Sequence, residues 1–456
     1  MNDQKLQISL DEPAIDAAIE LVGRIAAQHG IEFTIVGGAP REILLHRKPK
    51  DIDILVIKGD ARTIPLELHL SHGFFYPVLF DKFGTYRTGL QGAHPIDMEF
   101  VPLRASTLRD DLLLRDFTLN TLTMKRISAL RYEITDTLGS ALGALEQGLL
   151  QTPIPPGQTI TDDPLRILRG VRFSCTLGMH MDPPFKETAK RLAPLLREVA
   201  VERVRDELFM ILVSDRPSRG VLLMQELGLL EVVMPEILPM IGFDQRSPYH
   251  KDELFTHSLE VMDQTHPRIE TRLAALFHDT GKPSSLQETG DKVTYYGHQD
   301  KSAALFRAFS TRLRLPNQLA ARTESLIQRH MINYTPEWKD STVKKFIRNN
   351  YDILEQLLDL YRSDAGSLAD PLKPLSMVDE LTGRINRQQV EQISRLESPL
   401  NGTEIQELLA LPPGPKIGEI KNAIVDAILE GTLEPTSQAA RDFILKTYPP
   451  SASWKP

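Results

Sequence analysis

The sequence predicts an α+β protein: a small mixed β-sheet head, then an all-helical neck, a helical body and a helical tail. Three observations predict this. Between about residues 31 and 140, apolar runs of strand length mix with helical patterns. Thr152-Pro-Ile-Pro-Pro-Gly157 then marks a rigid break. Beyond it the apolar spacing is helical, with strand-like Val293-Thr-Tyr-Tyr296 as an exception. The expected parts are residues 1–150, 151–243, 244–370 and 371–456, with a second break at Phe243-Asp-Gln-Arg-Ser-Pro248 and a Pro-Gly turn at Leu411-Pro-Pro-Gly-Pro415.

A polar start leads into an amphipathic helix carrying Ala14, Ile15, Ala18, Ile19, Leu21 and Val22. Phe33-Thr-Ile-Val36 reads as a strand, Gly37-Gly38 as a turn, and Pro40 to Leu45 as a helix. After a basic hinge comes the strand Asp51-Ile-Asp-Ile-Leu-Val56, and later the strand Ile96-Asp-Met-Glu-Phe100. Period-two geometry puts Asp51 and Asp53 on one face, and likewise Asp97 and Glu99. Paired carboxylates make a hard-oxygen site for Mg²⁺, and adjacent glycines let backbone N–H groups approach a triphosphate. A lone Asp-x-Asp is ordinarily a solvated strand end, and a lone Gly-Gly a turn. The order of strand, Gly-Gly, helix, basic turn and acidic strand points instead to two-metal nucleotidyl transfer.

Composition sets the outer bounds. A chain of 456 residues with 41% hydrophobic content can bury several cores. It has no run of eighteen apolar residues and no basic-then-apolar leader, so the expectation is a soluble cytoplasmic protein with no membrane partner. The single cysteine, Cys175, excludes an intramolecular disulfide framework and is expected to be a buried small residue. A net charge of −8 argues against a wholly basic surface and leaves room for a local basic groove.

Gly37-Gly38-x-x-Arg41-Glu42 with Asp51-x-Asp53 resembles the head of the class II tRNA nucleotidyltransferase and bacterial poly(A) polymerase family. Four later segments are similar to that family in the same order. These are Asp111-Leu-Leu-Leu-Arg115-Asp116-Phe-Thr118-Leu-Asn120, Asp136-Thr-Leu-Gly139, Asp162-Asp163-Pro-Leu-Arg166-Ile-Leu-Arg169-Gly-Val-Arg172-Phe173, and Glu202-Arg203-Val-Arg205-Asp-Glu207. The resemblance implies Asp51 and Asp53 as Mg²⁺ ligands, and Glu99, five residues before Arg104, as the third acid with Asp97 the lesser candidate. It implies Gly37, Gly38 and Arg41 at the triphosphate, and Arg115, Asp116, Thr118 and Asn120 at the ribose. Asp163 and Arg166, three apart on an expected helix, could match the Watson–Crick edge of cytosine or adenine, and the resemblance makes them a protein template for CTP and ATP. Arg169 and Arg172 share the Arg166 face and could hold phosphates. The chain departs from the family at Pro40, Glu42, His46, where glycine is usual, Leu114, where arginine is usual, Thr121 and Asp162.

The later part carries a second constellation. His257, His278-Asp279, His298, His330 and Asp364 resemble, in order, the HD metal-dependent phosphohydrolase superfamily. Imidazole and carboxylate ligands suit Mg²⁺ or a transition metal without naming it. Leu400-Asn-Gly-Thr-Glu-Ile405 to Leu433 resembles the family's C-terminal element, implying a tail that cradles tRNA. Lys344, Lys345 and Arg348 read as a solvated charge run that could also contact phosphate. The resemblance implies CCA addition to the 3′ acceptor end of tRNA from CTP and ATP, with a fused phosphohydrolase. Addition of CC, of A or of poly(A), and a phosphohydrolase or RNA-binding protein with an inactive head, are the alternatives.

Overall fold

The computed structural model describes residues 4–79, 84–90, 95–246, 253–290 and 292–448. Part of the expected break at Phe243–Pro248 lies outside the described residues. The chain forms two compact units, one of Met1–Ser214 with Arg219–Val233, the other of Asp215–Ser218 with Met234–Pro456.

The first unit is built on an eight-stranded sheet. Its strands are β1 (Gln4–Ser9), β2 (Glu32–Val36), β3 (Asp51–Lys58), β4 (Val78–Leu79), β5 (Tyr86–Leu90), β6 (Ile96–Pro102), β7 (Thr123–Ser128) and β8 (Arg131–Asp136). Their spatial order is β1-β8-β7-β2-β3-β6-β5-β4. Within this sheet, among the described residues, β3 and β6 run parallel and the other pairs are antiparallel. The polar start of the sequence contains β1, an edge strand whose alternation of Leu6 and Ile8 with Gln and Ser is the one local sign of it.

The expected amphipathic helix forms over Pro13–His29 and turns Ile15, Ile19, Val22 and Ile25 onto the sheet. From β3 and β6, Ile52, Ile54, Met98 and Phe100 point into the same core. Burying each such side chain contributes about 1.5–3 kcal/mol. Alternation then forces Asp51, Asp53, Asp97 and Glu99 onto the opposite face. Asp16 on the helix is anchored to this sheet, accepting from Arg126 Nε at 2.8 Å and from Tyr132 Oη at 2.6 Å. The Arg126 hydrogen bonds hold Asp16 down at about 2.

Helices Pro156–Asp162, Arg166–Leu177, Pro183–Leu192, Val201–Leu212 and Pro217–Glu226 follow the sheet. Cys175, on the second of these, is half-buried, and burial pushes its thiol up to about 11. The second unit is helical among the described residues, apart from a short antiparallel hairpin, Gln287–Thr289 with Lys292–Thr294, at the expected strand-like exception. Its last helices have their own core of Leu400, Ile405, Ile420, Ile424, Ala440 and Ile444. Asn401 and Glu404 form a reciprocal capping box that starts the helix Gly402–Leu409. No helix among the described residues is long and apolar enough to cross a membrane.

Candidate active site

Parallel pairing of β3 and β6 sets Asp51 opposite Asp97 and Asp53 opposite Glu99. The result is a square of four carboxylates on one sheet face, next to the turn that leaves β2. Gly37 occupies that turn with φ 75°, and a Cβ there would stand 2.2 Å from Asp53 Oδ2. The position therefore needs glycine twice, for its backbone and for its missing side chain. The backbone N–H of Gly38 favours the ionised form of the Asp53 carboxylate. Burial, then the charges of Asp51 and Glu99, push Asp53 up to about 6. Repelling oxygen donors of this kind fit a hard divalent cation, which would remove the repulsion. Gly37→Ala is expected to lose about 1–3 kcal/mol from the positive-φ backbone alone. Displacement of Asp53 should then lower nucleotide addition at least about a hundredfold, a loss that primer-extension assays would report.

The helix Gly38–Leu44 follows directly, and it explains two departures. Glu42 accepts from Arg41 Nε at 2.9 Å. His46 has φ 54° and closes the helix as a Schellman turn, with His46 N–H bonded to Ile43 O and Arg47 N–H to Glu42 O. The backbone there is left-handed, so glycine's usual place in the family has a conformational reason that His46 meets at some strain.

Arg41, expected at the triphosphate, is only 8% exposed and donates to Asn120 Oδ1 as well as to Glu42. Asn120 in turn donates to Asp116 at 2.8 Å, and Asp116 also accepts from Arg169 Nη2 at 2.6 Å. Burial works against ionisation of Asp116, but Arg169 and Asn120 hold it down at about 2. Arg169 and Arg172 both reach Glu207, at 3.5 and 2.7 Å. The guanidiniums of Arg41, Arg169 and Arg172 lie 4.2–5.6 Å from the Phe173 ring centre, within cation–π range. Arg115 Nε and Thr118 Oγ1 are buried without a hydrogen-bond partner. Unpaired buried donors in this segment are available to a polar ligand.

Asp163 and Arg166 do not share a helix. The helix ends at Asp162, Asp163 is extended at φ −153°, ψ 99°, and the next helix starts at Arg166. Pro164 is the cause, since the residue before a proline is driven out of the α region. Arg203 clamps the Asp163 carboxylate at 2.8 and 3.3 Å, while Arg166 donates to the carbonyls of Leu114 and Thr159. Asp163 still acts on Arg166 electrostatically. Arg166, Arg169 and Arg172 do follow one another on a single helix.

Two groups lay beyond the sequence reading as site residues. Asp111 is fully buried and accepts from Arg104 N–H and Nε at 3.0 and 3.2 Å, with Arg115 Nη2 at 3.7 Å. Arg87, on β5, reaches Asp97 at 3.3 Å and Glu99 at 3.9 Å. Asp136, in the Asp136-Thr-Leu-Gly139 segment, is buried and accepts from the N–H groups of Gly139, Ala141 and Leu142. Lys345 of the charge run pairs with Glu430 at 2.7 Å.

In the second unit the sequence-expected ligands come together. His257 lies on helix Leu254–Gln264, His278 caps Ile269–Phe277, His298 opens His298–Arg312, His330 caps Asn317–Arg329, and Asp364 lies on Leu354–Gly366. His257, His278 and Asp279 form one group with metal-ligand spacing; Asp279, His298 and His330 form another, sharing Asp279. His298 Nε2 is 3.1 Å from Asp279 Oδ1, and His257 Nε2 is 3.1 Å from Asp364 Oδ1. His278, His298 and His330 each place Nδ1 2.8–2.9 Å from the carbonyl three residues earlier. Donation from Nδ1 leaves the Nε2 lone pairs facing the centre, the arrangement of metal-ligating imidazoles.

All of these except Asp364 are less than 9% exposed, and His278 Nε2 and Asp279 Oδ1 have no hydrogen-bond partner. Burial, with His278 alongside, pushes His330 down to about 4. Against burial, His278 and Lys282 hold Asp279 well below the usual carboxylate range. Lys282 is itself buried, with Nζ 2.6 Å from Asp279 Oδ2. Gly281 lets the helix His298–Arg312 pack close beside the cluster, since a Cβ there would lie 2.3 Å from His298 O. Convergent lone pairs in a buried pocket fit a divalent cation.

Residues 178–241 match the family described as the probable RNA and SrmB-binding site of polymerase A. A CC-adding tRNA nucleotidyltransferase of Thermus thermophilus is 31% identical over 437 residues, which is 90% of this chain and 92% of that protein. An A-adding tRNA nucleotidyltransferase of Deinococcus radiodurans is 30% identical over 427 residues, 90% of this chain and 94% of that one. In fold, a Bacillus stearothermophilus CCA-adding enzyme solved in complex with CTP superposes with a TM-score of 0.67 at 20% identity, covering 96% of this chain and 98% of its own. The chain is an enzyme that belongs to the tRNA nucleotidyltransferase family.

Proposed function

We propose that the head adds CMP and AMP from CTP and ATP to the 3′ end of tRNA, building CCA. The observation that carries this reading is the in-register square of Asp51, Asp53, Asp97 and Glu99 beside Gly37 and Gly38. Asp51 and Asp53 would hold Mg²⁺, with Glu99 as the third acid. Bound Mg²⁺ would activate the attacking 3′ hydroxyl and neutralise charge on the α-phosphate and departing pyrophosphate. Gly37, whose missing side chain leaves the backbone bare beside Asp53, would let the triphosphate approach with Gly38 at the helix start. The unpaired donors of Arg115 and Thr118, with Asp116 and Asn120, hold ribose and phosphate. Arg41, Arg169 and Arg172 keep that segment in place. Asp163 and Arg166 read the base edge, which must compete with Arg203 for the Asp163 carboxylate.

The relatives' names favour a second reading, addition of CC or of A alone. One assay separates them. Purified protein is offered tRNAs ending at the discriminator base, at C and at CC, with labelled CTP or ATP and Mg²⁺. Completion of CCA is expected; CC alone, A alone or long A tails select the relatives' activities, and no addition to any acceptor overturns the reading of the head.

The histidine cluster supports a separate phosphohydrolase acting on 2′,3′-cyclic phosphate ends. His257, His278, Asp279, His298, His330 and Asp364 would hold a divalent ion. Such an ion would polarise the phosphoester and supply the nucleophile. Residues 1–150 are then the transferase head, 151–243 the nucleotide-selecting neck, 244–370 the phosphohydrolase body and 371–456 the tRNA-binding tail, all suited to cytoplasmic tRNA processing.

A further inference from the structure

The rung of the sheet that carries Asp53 and Glu99 continues one strand further. Asp53 pairs with Glu99 across β3 and β6, and Glu99 pairs with Arg87 across β6 and β5. Directly opposite residues share a face, so Arg87 lies on the carboxylate face of the sheet. The neighbouring rung runs Asp51, Asp97, Gly89. It has no side chain at its β5 end, and a Cβ at Gly89 would lie 2.8 Å from Asp97 Oδ1. The space over that rung is left to Arg87, whose Nη2 is 3.3 Å from Asp97 Oδ2 and whose Nε is 3.9 Å from Glu99 Oε1.

We infer that Arg87 is a tethered counter-ion of the metal site, a positioning residue that neutralises Asp97 and holds Glu99 while competing with the incoming cation for Glu99. This rests on Asp51, Asp53 and Glu99 being metal ligands. Four carboxylates on adjacent rungs repel, and Arg87 discharges the outer pair at the opposite edge of the square from the glycine turn. Its side chain is 46% exposed, so the contact is weak enough to exchange. A fixed positive charge near a cation site lowers affinity for that cation. An Arg87 that merely decorated the surface would leave metal affinity unchanged, and one that bound triphosphate would alter nucleotide affinity instead.

The test is Mg²⁺ titration of the intact chain by calorimetry without nucleotide, the head's share being the binding that Asp53→Asn abolishes. Arg87→Gln and Arg87→Met are each expected to tighten that component about threefold to tenfold. Arg87→Lys, which keeps the charge, should stay within about twofold of the parent. Unchanged or weaker Mg²⁺ binding in both neutral variants, with melting curves intact, overturns the inference, as does a selective loss of CTP or ATP affinity. If Asp53→Asn removes no Mg²⁺ binding at all, the metal reading of the head fails instead, and that result is distinct.

Discussion

Asp53→Asn is expected to reduce nucleotide addition by about a thousandfold or more while leaving the metal-free protein more stable at neutral pH. The two effects have one cause. Burial and the neighbouring charges of Asp51 and Glu99 raise Asp53 to about 6 from an ordinary 3.8. A carboxyl whose folded value is raised contributes most to stability below its unfolded value and loses that contribution as pH rises towards the folded one. In the absence of metal, stability should therefore fall between about pH 4 and 6. The isosteric amide removes the charge and with it this loss, raising the melting temperature at pH 7 by about 2–6 °C. The gap should close at pH 4. Added Mg²⁺ should restore the parent's stability and do little for the variant. Thermal melts at two pH values with and without Mg²⁺, beside a primer-extension assay, decide it. A variant less stable than the parent at pH 7 without metal would show that Asp53 is a structural acid rather than a strained ligand.

The same residues show how far the sequence could be read. Period-two alternation placed Asp51 with Asp53 and Asp97 with Glu99, because one buried face dictates the other. It could not say that β3 and β6 are neighbours, parallel and in register, since pairing between strands more than forty residues apart leaves no local mark. Arg87 stayed hidden for the same reason, its meaning lying in its rung. The helix expected through Asp163 and Arg166 was a misreading with its remedy in the sequence, for Pro164 forbids a helical Asp163. Arg41 was expected at the triphosphate, and its engagement with Asn120 was not legible, because Asn120 belongs to a segment far along the chain. In the second unit the order of His257, His278-Asp279, His298, His330 and Asp364 was legible only as a resemblance, while their convergence shows in the structure, where His278 and His330 stand at helix ends. Their ring N–H groups there reach carbonyls three residues back, which fixes the ring orientation by local geometry.

Asp279→Asn is expected to empty the metal centre proposed for the second unit and leave the one proposed for the head working. Asp279 is the carboxylate common to both ligand groups, so its loss reaches both. The amide keeps the volume of the side chain, and Lys282 and His298, 2.6 and 3.1 Å from its oxygens, lose the charge that held them. Buried imidazoles without their anion are left as mutually unfavourable neighbours. Metal content measured after gel filtration should drop to background, and hydrolysis of 2′,3′-cyclic phosphate ends should fall about a thousandfold. Nucleotide addition should stay within about twofold of the parent, because the carboxylate square and its glycine turn lie in the other compact unit and share no ligand with this cluster. Chelation should reproduce the loss of hydrolysis in the parent, and readdition of Mn²⁺ or Ni²⁺ should reverse it there but not in the variant. If both activities fell together in a folded variant, the two centres would be one functional unit and the two-site reading would be wrong.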